Sequence, residues 1–173
     1  MIRRLAILPA ILLASCLTKL PDSYGYQVTD SGVEYVSLHL NTIASYARQD
    51  LAGVDRATFR VLPDRPDYAV DARQVYYRGA VVEGATPATW RLIGDSNYGT
   101  DGAHIYYFGN LVDGADAATF KVHPFNGRAS DARHFWEGRA MVGTPEDCGP
   151  PETVDARHTG KMLYFCYQLY GLS

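Results

Sequence analysis

The hydrophobic pattern of this chain is short and punctuated. Val75-Tyr76-Tyr77 and Ile105-Tyr106-Tyr107 are three-residue runs of β-branched and aromatic side chains, and a glycine follows each run two positions on, at Gly79 and Gly109. Such runs favour strands. A glycine at that place supplies the positive φ of a tight turn. Ala80 to Glu83 then reads as a short return strand that Gly84 ends. Thr86 stands where an N-cap would open one helical turn, as Asp55 and Asp116 do elsewhere. Pro87 suits the first position of that turn. Trp90, Phe59 and Phe120 each anchor a further strand, as in Trp90-Arg91-Leu92-Ile93. The predicted unit is a hairpin, a tight helical turn and a strand.

The unit recurs. Asp71-Ala72-Arg73-Gln74-Val75-Tyr76-Tyr77-Arg78-Gly79 is followed, 30 residues on, by Asp101-Gly102-Ala103-His104-Ile105-Tyr106-Tyr107-Phe108-Gly109. After the same step comes Asp131-Ala132-Arg133-His134-Phe135-Trp136-Glu137-Gly138, which reaches its glycine one residue early. The second half repeats as Val82-Glu83-Gly84-Ala85-Thr86-Pro87-Ala88-Thr89-Trp90 and Val112-Asp113-Gly114-Ala115-Asp116-Ala117-Ala118-Thr119-Phe120, with an earlier copy from Gly53 to Val61. A unit of this size cannot bury its own aromatic face, so neighbours must stack. The ends are weaker copies. Asp30 to Val36 reads as a degenerate first strand. Ser37 to Leu51 does not fit the unit and reads as a helix or as a longer insertion. Leu163-Tyr164-Phe165-Cys166-Tyr167 reads as a closing strand.

The elements Asp-x-x-x-Val-Tyr-Tyr, Gly and Gly-Ala-Asp-x-x-Thr-Phe resemble the DKNYY repeat family of bacterial envelope proteins. The resemblance covers roughly Gly53 to Gly143. Asp71 matches the name-giving Asp, whereas Ala72, Arg73 and Gln74 stand in place of Lys, Asn and Tyr. It implies a β-rich tandem repeat and no particular activity.

The first sixteen residues have a different character. Arg3 and Arg4 precede an apolar stretch from Leu5 to Leu13, which is too short to cross a bilayer and reads as a secretory signal. Leu13-Ala14-Ser15-Cys16 resembles the bacterial lipobox, in which the Cys is acylated and becomes the mature N-terminus. The expected organisation is a signal peptide over 1–16, a tether over 17–29 and the repeat domain over 30–173. Leu17 is not the Asp associated with inner-membrane retention in bacterial lipoproteins. The expected location is therefore the outer membrane, facing the periplasm, in a Gram-negative source. Losing Arg3 and Arg4 takes the net charge from −3 to −5. An acidic surface of that kind does not track phosphates, so nucleic acid is not an expected partner. The expected partners are the membrane, through the lipid, and an envelope protein or glycan.

With Cys16 set aside, Cys148 and Cys166 are left, either as a disulfide or as free thiols. An exported chain favours the bridge. Asp-x-x-His recurs as Asp101/His104, Asp131/His134 and Asp155/His158, and a row of these could bind a metal. Gln74 fills the His place in the best-formed copy, which favours a turn Asp bonded to its own backbone. One Tyr of each pair, Tyr76/Tyr77 and Tyr106/Tyr107, faces the core; the other either forms an exposed contact ladder or packs on the neighbouring unit. These four, with Trp136, are the surface-binding candidates. No nucleophile elbow, Walker loop or zinc-protease motif is present, and no cofactor is expected.

The expected fold is all-β: units of about 30 residues stacked as a small solenoid or meander. The expected function is non-catalytic binding or scaffolding in the cell envelope. The alternative is a metal-binding accessory protein or an enzyme that uses the Asp/His positions.

Overall fold

In the computed structural model, which describes residues 24–40, 44–124, 127–154, 158 and 160–171, each paired strand joins its neighbour in the chain in antiparallel fashion. Four small sheets result, and none closes into a barrel. The first has three strands, β1 (Gly25–Val28), β2 (Val33–Leu40) and β3 (Ala44–Asp50). The second runs β4 (Arg60–Leu62), β5 (Arg65–Val70), β6 (Val75–Tyr77) and β7 (Ala80–Val81). The third holds β8 (Arg91–Leu92), β9 (Tyr98–Thr100), β10 (Ile105–Tyr107) and β11 (Asn110–Leu111). The fourth holds β12 (Lys121–Val122), β13 (Arg128–Ser130), β14 (Phe135–Glu137) and β15 (Ala140–Gly143). Among the described residues, 3-10 turns at Pro87–Thr89, Pro145–Cys148 and Pro151–Thr153 and one helix, α1 (Gly160–Tyr170), complete the structure.

The hairpins show how the sequence dictates the strand ends. Tyr77 pairs with Ala80 and Tyr107 with Asn110, so each hairpin turns on two residues. Arg78 and Gly79 take φ of 48° and 85°, and Phe108 and Gly109 take 48° and 73°. Two successive positive values are the type I′ pattern, which matches strand twist. The third hairpin is not one residue shorter, as its early glycine suggested. Glu137 still pairs with Ala140 across two residues. Only Gly138 has positive φ there, the pattern of a type II′ turn. The glycine moved because the turn type changed.

The first sheet repeats this frame with a longer hairpin. Tyr26 pairs with Tyr35 as Tyr68 does with Tyr77 and Tyr98 with Tyr107. The Leu51 amide donates to the Val33 carbonyl as Val82 donates to Val75 and Val112 to Ile105. Between these anchors lies the extra length of β2 and β3. The stretch Ser37 to Leu51 is therefore an insertion within a hairpin and not a helix. Strand β1 also occupies part of the 17–29 stretch read as a tether, since Gly25–Val28 pairs along Val33–Val36.

Apolar burial falls between consecutive sheets. Val70, Val75 and Val82 pack with Tyr106, and Tyr98, Ile105 and Val112 pack with Ala129 and Trp136. Each sheet is too small to bury its own face, so its neighbour covers it. At the C-terminal end the covering element is α1. The expected closing strand at Leu163–Tyr167 is part of this helix. Met162, Phe165 and Cys166 are spaced i, i+3, i+4 and turn one face toward Phe135 and Val154. Phe135 and Phe165 stack with ring centroids 4.9 Å apart. A disulfide joins Cys148 to Cys166 and ties the 3-10 turn to α1. Closing a loop of that length contributes about 3 kcal/mol.

Candidate functional site

The recurring Asp is the most heavily bonded side chain in each unit. Asp71, Asp101 and Asp131 are buried, with 5–7% exposure. One oxygen, Oδ1, accepts from the two amides that follow. For Asp71 these are Arg73 and Gln74, both at 2.7 Å. For Asp101 they are Ala103 at 2.9 Å and His104 at 2.8 Å, and for Asp131 they are Arg133 and His134 at 2.8 Å. The other oxygen, Oδ2, reaches back to the helical turn before it. It accepts from the amides of Asp55 (2.8 Å), Thr86 (3.2 Å) and Asp116 (3.1 Å) respectively.

Oδ2 also takes a donor from the middle aromatic of the next strand. Tyr76 donates its hydroxyl to Asp71 at 2.8 Å, Tyr106 to Asp101 at 3.4 Å, and Trp136 its indole N–H to Asp131 at 2.8 Å. Tyr and Trp interchange here because both carry a donor at the rim of a large ring. Burial opposes ionisation of each carboxyl, but the converging N–H and O–H donors outweigh it and hold the three below the usual 3.8. Burial, with the nearby carboxylate, pushes the Tyr76 and Tyr106 hydroxyls up, so both stay protonated as donors.

The outer aromatic of each strand meets the next hairpin. A Cβ on Gly79 would lie 2.7 Å from Tyr35 Cβ, and one on Gly109 would lie 2.6 Å from Tyr77 Cβ. Tyr107 takes the same role against Gly127 and Gly138. The partner Tyr on the neighbouring strand adds hydroxyl contacts. The Gly79 amide donates to Tyr26 Oη at 3.1 Å, and Tyr98 donates to the carbonyls of Gly127 (2.7 Å) and Gly138 (2.8 Å).

These contacts correct the surface-binding set. Tyr76, Tyr106 and Trp136 are buried and committed to Asp. Tyr77 and Tyr107 are half-buried and pack on the neighbouring unit. Of the two readings of the outer Tyr, packing on the neighbour is the one the structure displays.

The Asp/His positions do not converge. His104 Nδ1 lies 3.3 Å from Asp101 Oδ2, and His134 Nδ1 lies 3.5 Å from Asp131 Oδ1. Both are contacts within one loop, to carboxylates already engaged by amides. His158 Nδ1 faces the Val154 carbonyl and Nε2 the Asp147 carbonyl, at 3.0 and 2.7 Å. Asp155 lies outside the described residues, as does Cys16. Among the described residues, no three His, Cys, Asp or Glu side chains are grouped to hold a metal ion.

One polar pair escaped sequence reasoning. His123 Nε2 and Ser130 Oγ are 2.8 Å apart beside a cavity of about 560 Å³ that Lys121, Phe135 and Phe165 also line. Burial first, and then the Lys121 charge, lower the affinity of His123 for a proton. A neutral imidazole can accept the Ser130 proton, but among the described residues no carboxylate bonds its other nitrogen. The signal was a break in the repeat. The His123 amide bonds the Arg128 carbonyl as the Ile93 amide bonds Tyr98, so a His stands where the preceding unit has an Ile.

The fold and these bonds define a class: a β-protein of short meanders, three of them held by one buried Asp each, with Tyr stacked on the Gly of the next hairpin. A sequence model of the DKNYY family matches residues 10–108, more than half of the chain. The chain belongs to the DKNYY family. The match begins earlier than the Gly53–Gly143 stretch of the resemblance and ends before Gly109. No curated protein and no solved structure matches the chain.

Proposed function

We propose that the protein is a non-catalytic, lipid-anchored component of the bacterial cell envelope that binds or scaffolds another envelope component. The reading takes the units as a stacked array with Cys16 as the acylated N-terminus. In a Gram-negative source the anchor lies in the outer membrane and the body faces the periplasm. One observation supports it above others: the recurring residues are consumed by the frame. Asp binds amides, the middle Tyr or Trp binds Asp, and the outer Tyr packs on Gly. What differs between copies is exposed instead. The loop after each Asp presents Ala72-Arg73, then Gly102-Ala103-His104, then Ala132-Arg133. A constant frame with variable loops suits recognition of a protein or glycan, as in other repeat scaffolds.

The test is crosslinking in cells followed by a denaturing wash, with Cys16→Ala alongside. A dominant partner recovered with the anchored form, and lost when Arg73, His104 and Arg133 are replaced together by Ala, supports the reading. Recovery of no partner from either form overturns it.

A further inference from the structure

The β2–β3 hairpin is longer than its counterparts in the other sheets. Strand β1 last pairs at Gly25 with Val36, yet β2 and β3 continue to pair through Leu38 with Tyr46 and Leu40 with Ala44. Among the described residues, the hairpin beyond Val36 has two strands and no third. A two-stranded ribbon is marginal in water unless something covers a face. Its composition is also unusual for the chain. From Val36 to Ala47 there is no Asp, Glu, Lys or Arg, although charged residues make up 20% of the sequence. The charges resume at the base, where Arg48 is paired with Glu34.

Among the described side chains, Leu38 of this extension and Tyr24 beside it are presented rather than buried. Leu38 is 37% exposed and Tyr24 57% exposed, and the Tyr24 ring stacks on Tyr46 with centroids 5.9 Å apart. Leu38 and Tyr46 are cross-strand partners, so the three side chains make one patch. Tyr is suited to a membrane–water boundary, where its ring is apolar and its hydroxyl stays wet. The chain also limits where the patch can go. Seven residues lie between Cys16 and Tyr24, so the eight steps along the chain reach about 28 Å at full extension. An acyl group on Cys16 thus keeps the patch within about the thickness of one bilayer core from the lipid surface.

We propose that the β2–β3 hairpin is a second membrane contact: Tyr24, Leu38 and Tyr46 rest in the interface of the bilayer that holds the Cys16 anchor. This rests on the anchored reading of Cys16. A lipid chain alone leaves the body free to swivel, whereas two contacts fix one orientation and turn the variable loops in a defined direction. The bilayer also covers the face of the ribbon that carries the patch.

The test uses the full chain in its native membrane, with a benzophenone amino acid replacing Leu38 and, in a control, Arg133. After irradiation, trypsin releases two informative peptides. Residues 16–19 report acylation of Cys16, and residues 20–48 carry position 38. The expected result is an acylated 16–19 peptide, a phospholipid-sized mass on 20–48, and no such mass on the Arg133 control. Tyr46→Asp should lower the lipid adduct at least tenfold without changing the circular dichroism spectrum. An acylated 16–19 peptide with no lipid on 20–48 overturns the inference and leaves the anchor standing. A protein-sized adduct at position 38, whether another protein or a second copy, also overturns it. Lipid on 20–48 without acylation upholds the membrane contact and removes the anchored reading instead.

Discussion

At the residue scale, the buried Asp carries the most consequence per atom. Asp101 serves three amides and the Tyr106 hydroxyl, so Asp101→Ala strands four donors. Loss of a charged acceptor from such a site should cost at least about 3 kcal/mol. Asp101→Asn keeps one acceptor oxygen and should cost roughly half as much, which urea unfolding would measure. The same carboxyls set an acid limit. Their folded values lie below the usual 3.8, so they contribute stability above about that pH. The contribution fades as pH falls below 4 toward the depressed values. Thermal melts between pH 5 and pH 2 should show the drop, and it should be smaller in Asp101→Asn. The donors can be graded as well. Tyr76 reaches its Asp at 2.8 Å and Tyr106 at 3.4 Å. Tyr76→Phe should therefore cost about 1 kcal/mol and Tyr106→Phe measurably less. The self-bonding of the Asp was legible in its spacing from the following residues. Its reach back to Asp55, Thr86 or Asp116 was not, because it spans fifteen or sixteen residues and depends on how the helical turn folds over it.

At the element scale, the hairpin glycines do two separable jobs. Gly109 has positive φ and receives the Tyr77 ring, while Gly114 has positive φ with open space around it. Gly114→Ala should cost only the backbone strain, about 1 kcal/mol. Gly109→Ala adds a clash with the Cβ of Tyr77, which sits on a paired strand and cannot swing away. It should cost at least twice as much in thermal unfolding. The difference between the two variants measures the inter-unit contact rather than the turn. Short strands ending in Gly were readable from pattern because each residue type has a local reason to be there. The C-terminal element was not. Leu163 to Tyr167 is apolar and aromatic throughout, a composition that fits a strand or a buried helix equally. The arbiter was the spacing of Met162, Phe165 and Cys166 over an eleven-residue segment, with Cys166 fixed to Cys148. The β2–β3 hairpin was legible only as an insertion that could equally have been a helix, for the opposite reason. Its anchors, Val33 and Leu51, hold the frame positions of Val75 and Val82, but the insertion hides the spacing that links them.

At the scale of the whole molecule, the central question is how far the units are interchangeable. Stability in a stacked array is close to a sum of unit terms and neighbour terms. Removing one period in register should then shorten the protein without unfolding it. Deletion of residues 83–112 joins Val82 to Asp113, which recreates the sequence Val-Asp found natively at Val112-Asp113. It leaves the Asp71 and Asp131 bonds with Asp55 and Asp116 intact, because each pair lies wholly on one side of the junction. Tyr77 would then meet the Gly138 hairpin in place of Tyr107, and the covering helix and its disulfide would be untouched. The expected product is monomeric, with a β-type circular dichroism spectrum and a lower melting temperature. A deletion of 83–102 is shorter but out of phase. It removes Asp101 while keeping Tyr106, and it sets aromatic rings against the wrong turns, so it should not fold. If both deletions unfold alike, the units are not independent modules and the strands cooperate as one indivisible body. If only the in-register deletion folds, the spacing of 30 residues is a mechanical repeat, and its length can change without altering the frame that presents the loops.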